Sequence, residues 1–319
     1  MAAFICATGS CLPAHRMDNE EWTQYIETND AWIRDRTGIE SRHIAREESC
    51  VSMAAQAAKN ALESAGMGAE EIDLLVVSTI SAENILPCAA CEVQEKIGAV
   101  NAVCFDLNAA CSGFLMAYNT AVSGIEAGFY RTALIIGSEC MSHLLNWKDR
   151  GTCILFGDGA GAVLLKNSSR TLYLPCNHSD GSKKNALTLR SRHSNGPEDM
   201  KDPQYYLQMD GQAVFKFAVR RVPEVIREVL EKNQMKQEDI RFFILHQANR
   251  RITEAVARHL NEPLDKFPTN VDHCGNTSSA SIPILLDEMN RRGEIHRGDK
   301  LVLTGFGAGL TWSATIVEW

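Results

Sequence analysis

An internal repeat constrains this chain more than any other feature of its 319 residues. At a gapless offset of 168, Leu62-Glu63 matches Leu230-Glu231, Met67 matches Met235 and Ile72 matches Ile240. In the first copy, Ser52–Ala65 reads as an alanine-rich helix stopped by Gly66, and Glu70–Asp73 leads into the apolar run Leu74–Val77, a buried strand. In the second, Val222–Lys232 reads as a helix and Glu238–Arg241 leads into the strand Phe242–Leu245. The order then continues in parallel. Strand Ala102–Asp106, helix Cys111–Gly128 and strand Ala133–Gly137 are echoed by turn Asp272–Gly275, helix Asn276–Arg292 and strand Leu301–Thr304. Helix, strand, loop, helix, strand occurring twice predicts a duplicated α/β unit with two sheets covered by helices. The expected halves are residues 1–170 and 171–319. No linker separates them. The junction is expected in the loop region 168–203, with the halves sharing a packed interface.

Composition excludes several classes. At 45% hydrophobic and 23% charged residues, the chain is neither disordered nor a small disulfide-stapled scaffold. A net charge of −8 excludes general nucleic-acid binding, and an anionic partner would need a local basic patch. Runs such as Leu74–Val77 and Ala133–Ile136 are too short to span a bilayer, so no membrane partner is expected. Met1–Cys6 lacks a basic region and a long apolar region, and the eleven cysteines cannot all pair internally. A cytoplasmic chain with reduced thiols is the expectation.

One cysteine stands apart by position. In Leu107-Asn108-Ala109-Ala110-Cys111-Ser112-Gly113 a strand ends and a helix begins, so the dipole and free N–H groups of the helix end favour thiolate at Cys111. The competing reading is an inert buried cysteine, one of eleven. Cys88-Ala89-Ala90-Cys91 has redox spacing but reads as two core thiols one turn apart. His246 follows the strand Phe242–Leu245, where α/β sheets place their sites, although a satisfied buried histidine reads the same way. Asn276 stands at the turn that corresponds by repeat to the Cys111 turn, or serves there as a simple cap. Duplication puts Cys111 and Asn276 at matching helix starts near one centre. Phe156–Ala162 enters a strand rather than a helix, so a dinucleotide loop is excluded. Gly305–Gly309 joins two strands and can present N–H groups to an oxyanion.

These segments together resemble the thiolase-fold condensing enzymes, and within them the β-ketoacyl-acyl-carrier-protein synthase III family. The resemblance runs over nearly the whole chain. It rests on Trp32–Ile39, the Cys111 turn, Asp149–Thr152, Phe156–Ala162, Val214–Lys216, His246–Arg251, Gly275–Thr277 and Gly305–Trp312. It implies a thiolase-like duplicated fold, two similar halves in a layered αβαβα arrangement. It implies that Cys111 takes an acyl group from acyl-CoA and that the N–H groups of Cys111 and Ala308 form the oxyanion hole. His246 and Asn276 would then stabilise the enolate formed when malonyl-acyl-carrier protein loses carbon dioxide, giving β-ketoacyl-carrier protein and initiating type II fatty-acid synthesis. Elongating synthases carry a second histidine where Asn276 stands, and thiolases a second cysteine near the C-terminus. Here the last cysteine is Cys274.

The resemblance further implies CoA binding by Thr28, Trp32, Arg36, Arg150, Gly151, Phe215, Ala248 and Asn249, with Trp32 and Arg150 sandwiching the adenine. It implies docking of an acidic carrier protein on Lys216, Arg220, Arg221, Arg250, Arg251 and Arg258, although a charge cluster is also what any solvated helix face carries. Leu86 and Phe306 fall at acyl-pocket positions. Leu86, where phenylalanine is frequent, predicts a roomier pocket for short or branched starters, bordering the partner's site in a homodimer. No metal and no cofactor is expected beyond these substrates. Ala308 interrupts a run usually of three glycines and requires negative φ there. Three rival readings are a secondary-metabolism priming ketosynthase or acyltransferase, a non-catalytic chain-length-factor-like subunit and a cysteine hydrolase. The chain-length-factor reading is opposed by the presence of Cys111, His246 and Asn276 together. The hydrolase would need an acidic orienter for His246.

Overall fold

The computed structural model describes residues 2–169, 171–190 and 205–319. Five layers stack in the order helices, sheet, helices, sheet, helices. The first sheet runs Ala2–Cys11, Gly159–Ser168, Thr132–Glu139, Leu74–Ser78, Val103–Leu107. Its last three strands are parallel, and Gly159–Ser168 is antiparallel to both neighbours. The second sheet runs Phe242–Leu245, Lys300–Gly307, Thr311–Glu318, Cys176–Ser179, and its first pair is parallel. The central strands are apolar on both faces because helices cover both, as parallel sheets require.

Local chemistry sets the element ends. Ser49 and Ser52 form a capping box at the start of helix Cys50–Ala65, and Gly66 ends it in the left-handed region. The alanines of that helix allow close packing on the first sheet, together with helix Ala89–Ile97. Helices Gly211–Lys232 and Arg250–Leu260 cover the outer face of the second sheet. Helices Gly113–Glu126 and Ser281–Arg291 lie between the sheets. There Phe114, Leu115, Ile282 and Leu285 join Val76 and Ile135 of one sheet with Ile244 and Leu303 of the other in one buried cluster. Each such side chain contributes about 1.5–3 kcal/mol on burial.

The duplication is metrically regular. Adding 168 carries Thr132–Glu139 onto Lys300–Gly307, the turn Ala69–Glu71 onto Gln237–Asp239, and Ala110–Ser112 onto Ser278–Ala280. It also carries the left-handed residues Gly66 and Ala110 onto Gln234 and Ser278, at φ 61, 47, 55 and 49 respectively. One element breaks the match. Where Val103–Leu107 forms an edge strand, the counterpart Val271–Cys274 is one helical turn, its Val-Asp-His-Cys lacking the β-formers of Val-Cys-Phe-Asp-Leu.

Three expectations are corrected. The helix read as Val222–Lys232 begins at Gly211, where Asp210 caps Ala213, and runs through Pro223 at the loss of one backbone bond. The helices read as starting at Cys111 and Asn276 start at Gly113 and Ser281, each after a 3₁₀ turn. The expected junction 168–203 lies partly outside the described residues, and its described part contributes the strand Cys176–Ser179 to the second sheet. Among the described residues no helix is long and apolar enough to cross a membrane.

Candidate active site

Cys111 sits in the turn Ala110–Ser112, between the end of strand Val103–Leu107 and helix Gly113–Glu126. Ala110 takes the left-handed conformation at φ 47, which turns the chain sharply ahead of the cysteine. Strand Lys300–Gly307 of the other half passes directly beneath. A Cβ on Gly307 would lie 2.7 Å from the Cys111 nitrogen, so only glycine fits there. The expected thiolate is not what this environment favours. Burial pushes the thiol up to about 12, the neighbouring Ser278 hydroxyl lowers it only in part, and the Glu139 charge raises it further. Desolvation outweighs the short turn's dipole, so the resting group is a thiol.

The same construction recurs on the second half. Asn276 precedes the left-handed Ser278, whose N–H donates to Asn276 Oδ1 at 2.8 Å. That bond orients the amide with its oxygen engaged, leaving the NH₂ as the end free to donate into the cavity. The N–H of Asn276 donates to the Leu155 carbonyl, and its carbonyl accepts from Gly157, which fixes the turn against the Phe156–Ala162 segment. His246 follows the parallel strand Phe242–Leu245 and donates its backbone N–H to the Thr304 carbonyl. Its Nδ1 lies 2.7 Å from Ser281 Oγ, and the ring packs edge-on against Phe306. Burial pushes its pKa down to about 3, so the imidazole is neutral across the physiological range.

Cys111, His246, Asn276, Phe306 and Gly307 line one cavity of about 320 Å³. Trp32, Arg36, Arg150, Gly151, Phe215, Ala248 and Asn249 line the same cavity toward its opening. Thr28 does not; its hydroxyl is buried without a hydrogen-bond partner. Arg150 rests directly on the Trp32 ring, Cζ 4.6 Å from the centroid, so a ring entering between them must first lift the guanidinium. Asn249 acts as a clamp: its oxygen caps Arg251 and its NH₂ donates to the Arg36 carbonyl, tying two helices together. A second cavity of about 410 Å³ meets the first at Cys111 and is lined by Ile80, Met141, Leu189, Leu207 and Ala308. Ala308 is absent from the positive-φ residues, so alanine is accommodated there without strain. Leu86 lines neither cavity and stands 85% exposed, so this chain's own pocket does not carry the roomier-pocket expectation.

Lys216, Arg220 and Arg221 line a third hollow on helix Gly211–Lys232, joined by Lys183. Arg220 and Arg221 share Glu224, and Arg250 pairs with Glu254, which mutes part of that charge. Arg251 lies over Phe215 at 5.6 Å, linking the basic surface to the cavity mouth, and Arg258 is exposed on the same helix.

Sequence reasoning missed Glu139. This buried carboxylate ends strand Thr132–Glu139 and accepts from Ser81 (2.5 Å), Thr79 (3.2 Å) and the Ile80 N–H (3.1 Å) on one oxygen. Its other oxygen accepts from Ser279 (2.8 Å) and Ser278 (3.2 Å), the turn beside Asn276. Burial raises its pKa and these bonds oppose the rise. An acid closing the apolar strand Ala133–Ile136 was the available signal.

Comparison with known proteins bears on this geometry. A family profile described as 3-oxoacyl-[acyl-carrier-protein (ACP)] synthase III matches residues 105–179, and its C-terminal counterpart matches residues 230–319. A beta-ketoacyl-[acyl-carrier-protein] synthase III of Clostridium perfringens (strain SM101 / Type A) is 45% identical over 320 aligned residues, covering 99% of both chains. The crystal structure of 3-oxoacyl-[acyl-carrier-protein] synthase III from Aquifex aeolicus VF5 superposes with a TM-score of 0.94 at 41% identity, over 99% of this chain and 100% of that one. The priming beta-ketosynthase of the R1128 polyketide pathway gives 0.93 at 34% identity, over 99% and 96%.

Proposed function

Because the chain belongs to the β-ketoacyl-acyl-carrier-protein synthase III family and is an acyltransferase of the condensation that initiates fatty-acid synthesis, we propose how its own residues divide that work. Acyl-CoA enters past Trp32, Arg36 and Arg150, and its acyl chain occupies the cavity beyond Cys111. The Cys111 sulfur attacks the thioester carbonyl while the N–H groups of Cys111 and Ala308 hold the oxyanion. The thiol proton leaves on CoA, and the acyl group remains as a thioester on Cys111. Malonyl-carrier protein then docks on the basic surface of Lys216, Arg220, Arg221, Arg250, Arg251 and Arg258. Carbon dioxide departs, and neutral His246 with the Asn276 NH₂ donates to the enolate oxygen. The carbanion attacks the Cys111 thioester carbonyl, the bond from that carbon to Sγ breaks, the Cys111 thiolate takes a proton from solvent, and the product leaves as β-ketoacyl-carrier protein.

The observation that carries this reading is the shared cavity. Cys111, His246 and Asn276 come from three separate segments onto one wall, continuous with the Trp32–Arg150 mouth. With its pKa pushed down to about 3 and its Nδ1 facing the Ser281 hydroxyl rather than a carboxylate, His246 is a weak base for the Cys111 proton, which opposes a cysteine hydrolase. The reaction needs no resident cofactor or metal. Identities of 45% and 41% to the Clostridium perfringens and Aquifex aeolicus synthases III, against 34% to the polyketide priming ketosynthase, favour primary metabolism. We also read the chain as halves 1–170 and 171–319 of a cytoplasmic homodimer, in which a second copy covers the exposed Ile85 and Leu86.

The test is intact-mass measurement after incubation with a panel of acyl-CoA thioesters. A single acyl adduct is expected, absent in Cys111→Ala. His246→Ala and Asn276→Ala should acylate yet fail to decarboxylate malonyl-carrier protein. No adduct from any acyl-CoA overturns the reading.

A further inference from the structure

Outside the catalytic cavity, His273, Cys274 and Glu288 bring a nitrogen, a sulfur and an oxygen within 4.8 Å of one another. Cys274 and Glu288 are buried, and His273 is partly open to solvent. His273 Nε2 lies 3.2 Å from Glu288 Oε1, and Cys274 Sγ lies 3.7 Å from the same oxygen. A tetrahedral zinc ion has ligand-to-ligand edges of about 3.3 Å for nitrogen to oxygen and about 3.5 Å for sulfur to oxygen. The two measured edges fall within a few tenths of an ångström of these. The other nitrogen of the ring is also arranged for the purpose. His273 Nδ1 faces Asp272 Oδ1 at 3.2 Å, the carboxylate partner that typically orients a metal-ligating imidazole.

We propose that His273, Cys274 and Glu288 form a binding site for a divalent zinc-class cation, with Asp272 orienting the imidazole and solvent completing the tetrahedron. Nitrogen, thiolate and carboxylate on one tetrahedral centre select zinc over magnesium or calcium, which prefer oxygen. Binding displaces the Nε2 proton of His273 and the thiol proton of Cys274 to solvent, and the metal takes the place of the proton now shared with Glu288. Arg292 contacts only the second oxygen of Glu288, at 3.4 Å, and is half exposed, so it can remain or swing away. The three ligands belong to two elements, the turn of helix Val271–Cys274 and the helix Ser281–Arg291. A bound ion would staple the two ends of the segment that carries Asn276. This site does not rest on the catalytic assignment and serves no step of it.

Equilibrium dialysis of the full chain against zinc chloride, followed by metal analysis, tests the site. One zinc per chain is expected, with affinity falling at least about tenfold in His273→Ala and in Cys274→Ser. Cys91→Ser and Cys111→Ser are expected to bind as the parent does, which separates this site from the other thiols. With cobalt as the probe, a thiolate-to-cobalt absorption band in the near ultraviolet should appear and vanish in Cys274→Ser. Failure to retain stoichiometric zinc overturns the proposal, as does retention that survives both His273→Ala and Cys274→Ser.

Discussion

Replacing His246 by glutamine should remove a specific sensitivity to acid. In the folded chain burial holds the imidazole at about 3, whereas an exposed histidine titrates near 6.5. Between these values the unfolded chain binds the extra proton and the folded chain does not. Stability from the buried neutral ring is therefore complete above pH about 6.5 and falls as the pH drops toward about 3. At about 1.36 kcal/mol per pH unit, lowering the pH from about 7 to about 5 should cost about 2 kcal/mol at this residue. His273 has the opposite sign. Asp272 first, then Cys274 and Glu288, push it up to about 12, so its contribution is greatest below 6.5 and declines as pH rises. Comparing parent with His246→Gln cancels it. Urea unfolding at both pH values and one protein concentration is the assay. The parent should lose about 2 kcal/mol more than the variant on acidification. Equal losses would refute the buried neutral histidine. They would also undermine its role as a donor, which predicts no break near pH 6.5 in the rate of malonyl decarboxylation.

Three further outcomes follow from the site's geometry. Gly307→Ala should slow adduct formation about ten- to a hundredfold, since its Cβ must displace the Cys111 backbone at about 1–3 kcal/mol. Gly305→Ala, whose Cβ would lie 3.2 Å from Ser112 Cα, should do so less, and intact-mass kinetics decide between them. Trp32→Ala should raise KM for acyl-CoA about five- to thirtyfold with kcat little changed, by loss of about 1–2 kcal/mol of stacking at the mouth; an unchanged KM would remove Trp32 from the binding path. Arg251→Glu should raise KM for malonyl-carrier protein and flatten its dependence on salt, while acyl-CoA loading responds little; equal salt responses in both half-reactions would sink the docking surface.

The repeat was legible because helix Cys50–Ala65 and strands Leu74–Ser78 and Phe242–Leu245 carry strong local patterns. The register within the site was less so. Sequence reasoning paired Cys111 with Asn276, whereas the offset of 168 pairs Asn276 with Asn108 and Cys111 with Ser279. The cause is a pair of left-handed residues, Ala110 and Ser278, neither a glycine, so nothing in the sequence marks the 3₁₀ turns that delay both helices. The cysteine's chemistry was legible by position, but its protonation was not, because desolvation depends on strands brought over it from the other half. Glu139 was missed for the same reason: its partners Ser278 and Ser279 lie in the opposite half of the chain.

Those cross-half contacts carry a consequence for how the chain folds. Gly137 packs against the Ser279 carbonyl, and its counterpart Gly305 packs against Ser112. Two residues further along each strand, Glu139 ties down the Ser278 turn and Gly307 floors the Cys111 turn. Each half therefore supplies the seat for a loop that the other half owns. A chain severed at 170/171 should leave two fragments with uncovered strand ends, and Glu139 would lose its Ser278 and Ser279 donors while keeping Ser81, Thr79 and the Ile80 N–H. Joint assembly is therefore expected, with one cooperative unfolding transition where sequence similarity alone would suggest two.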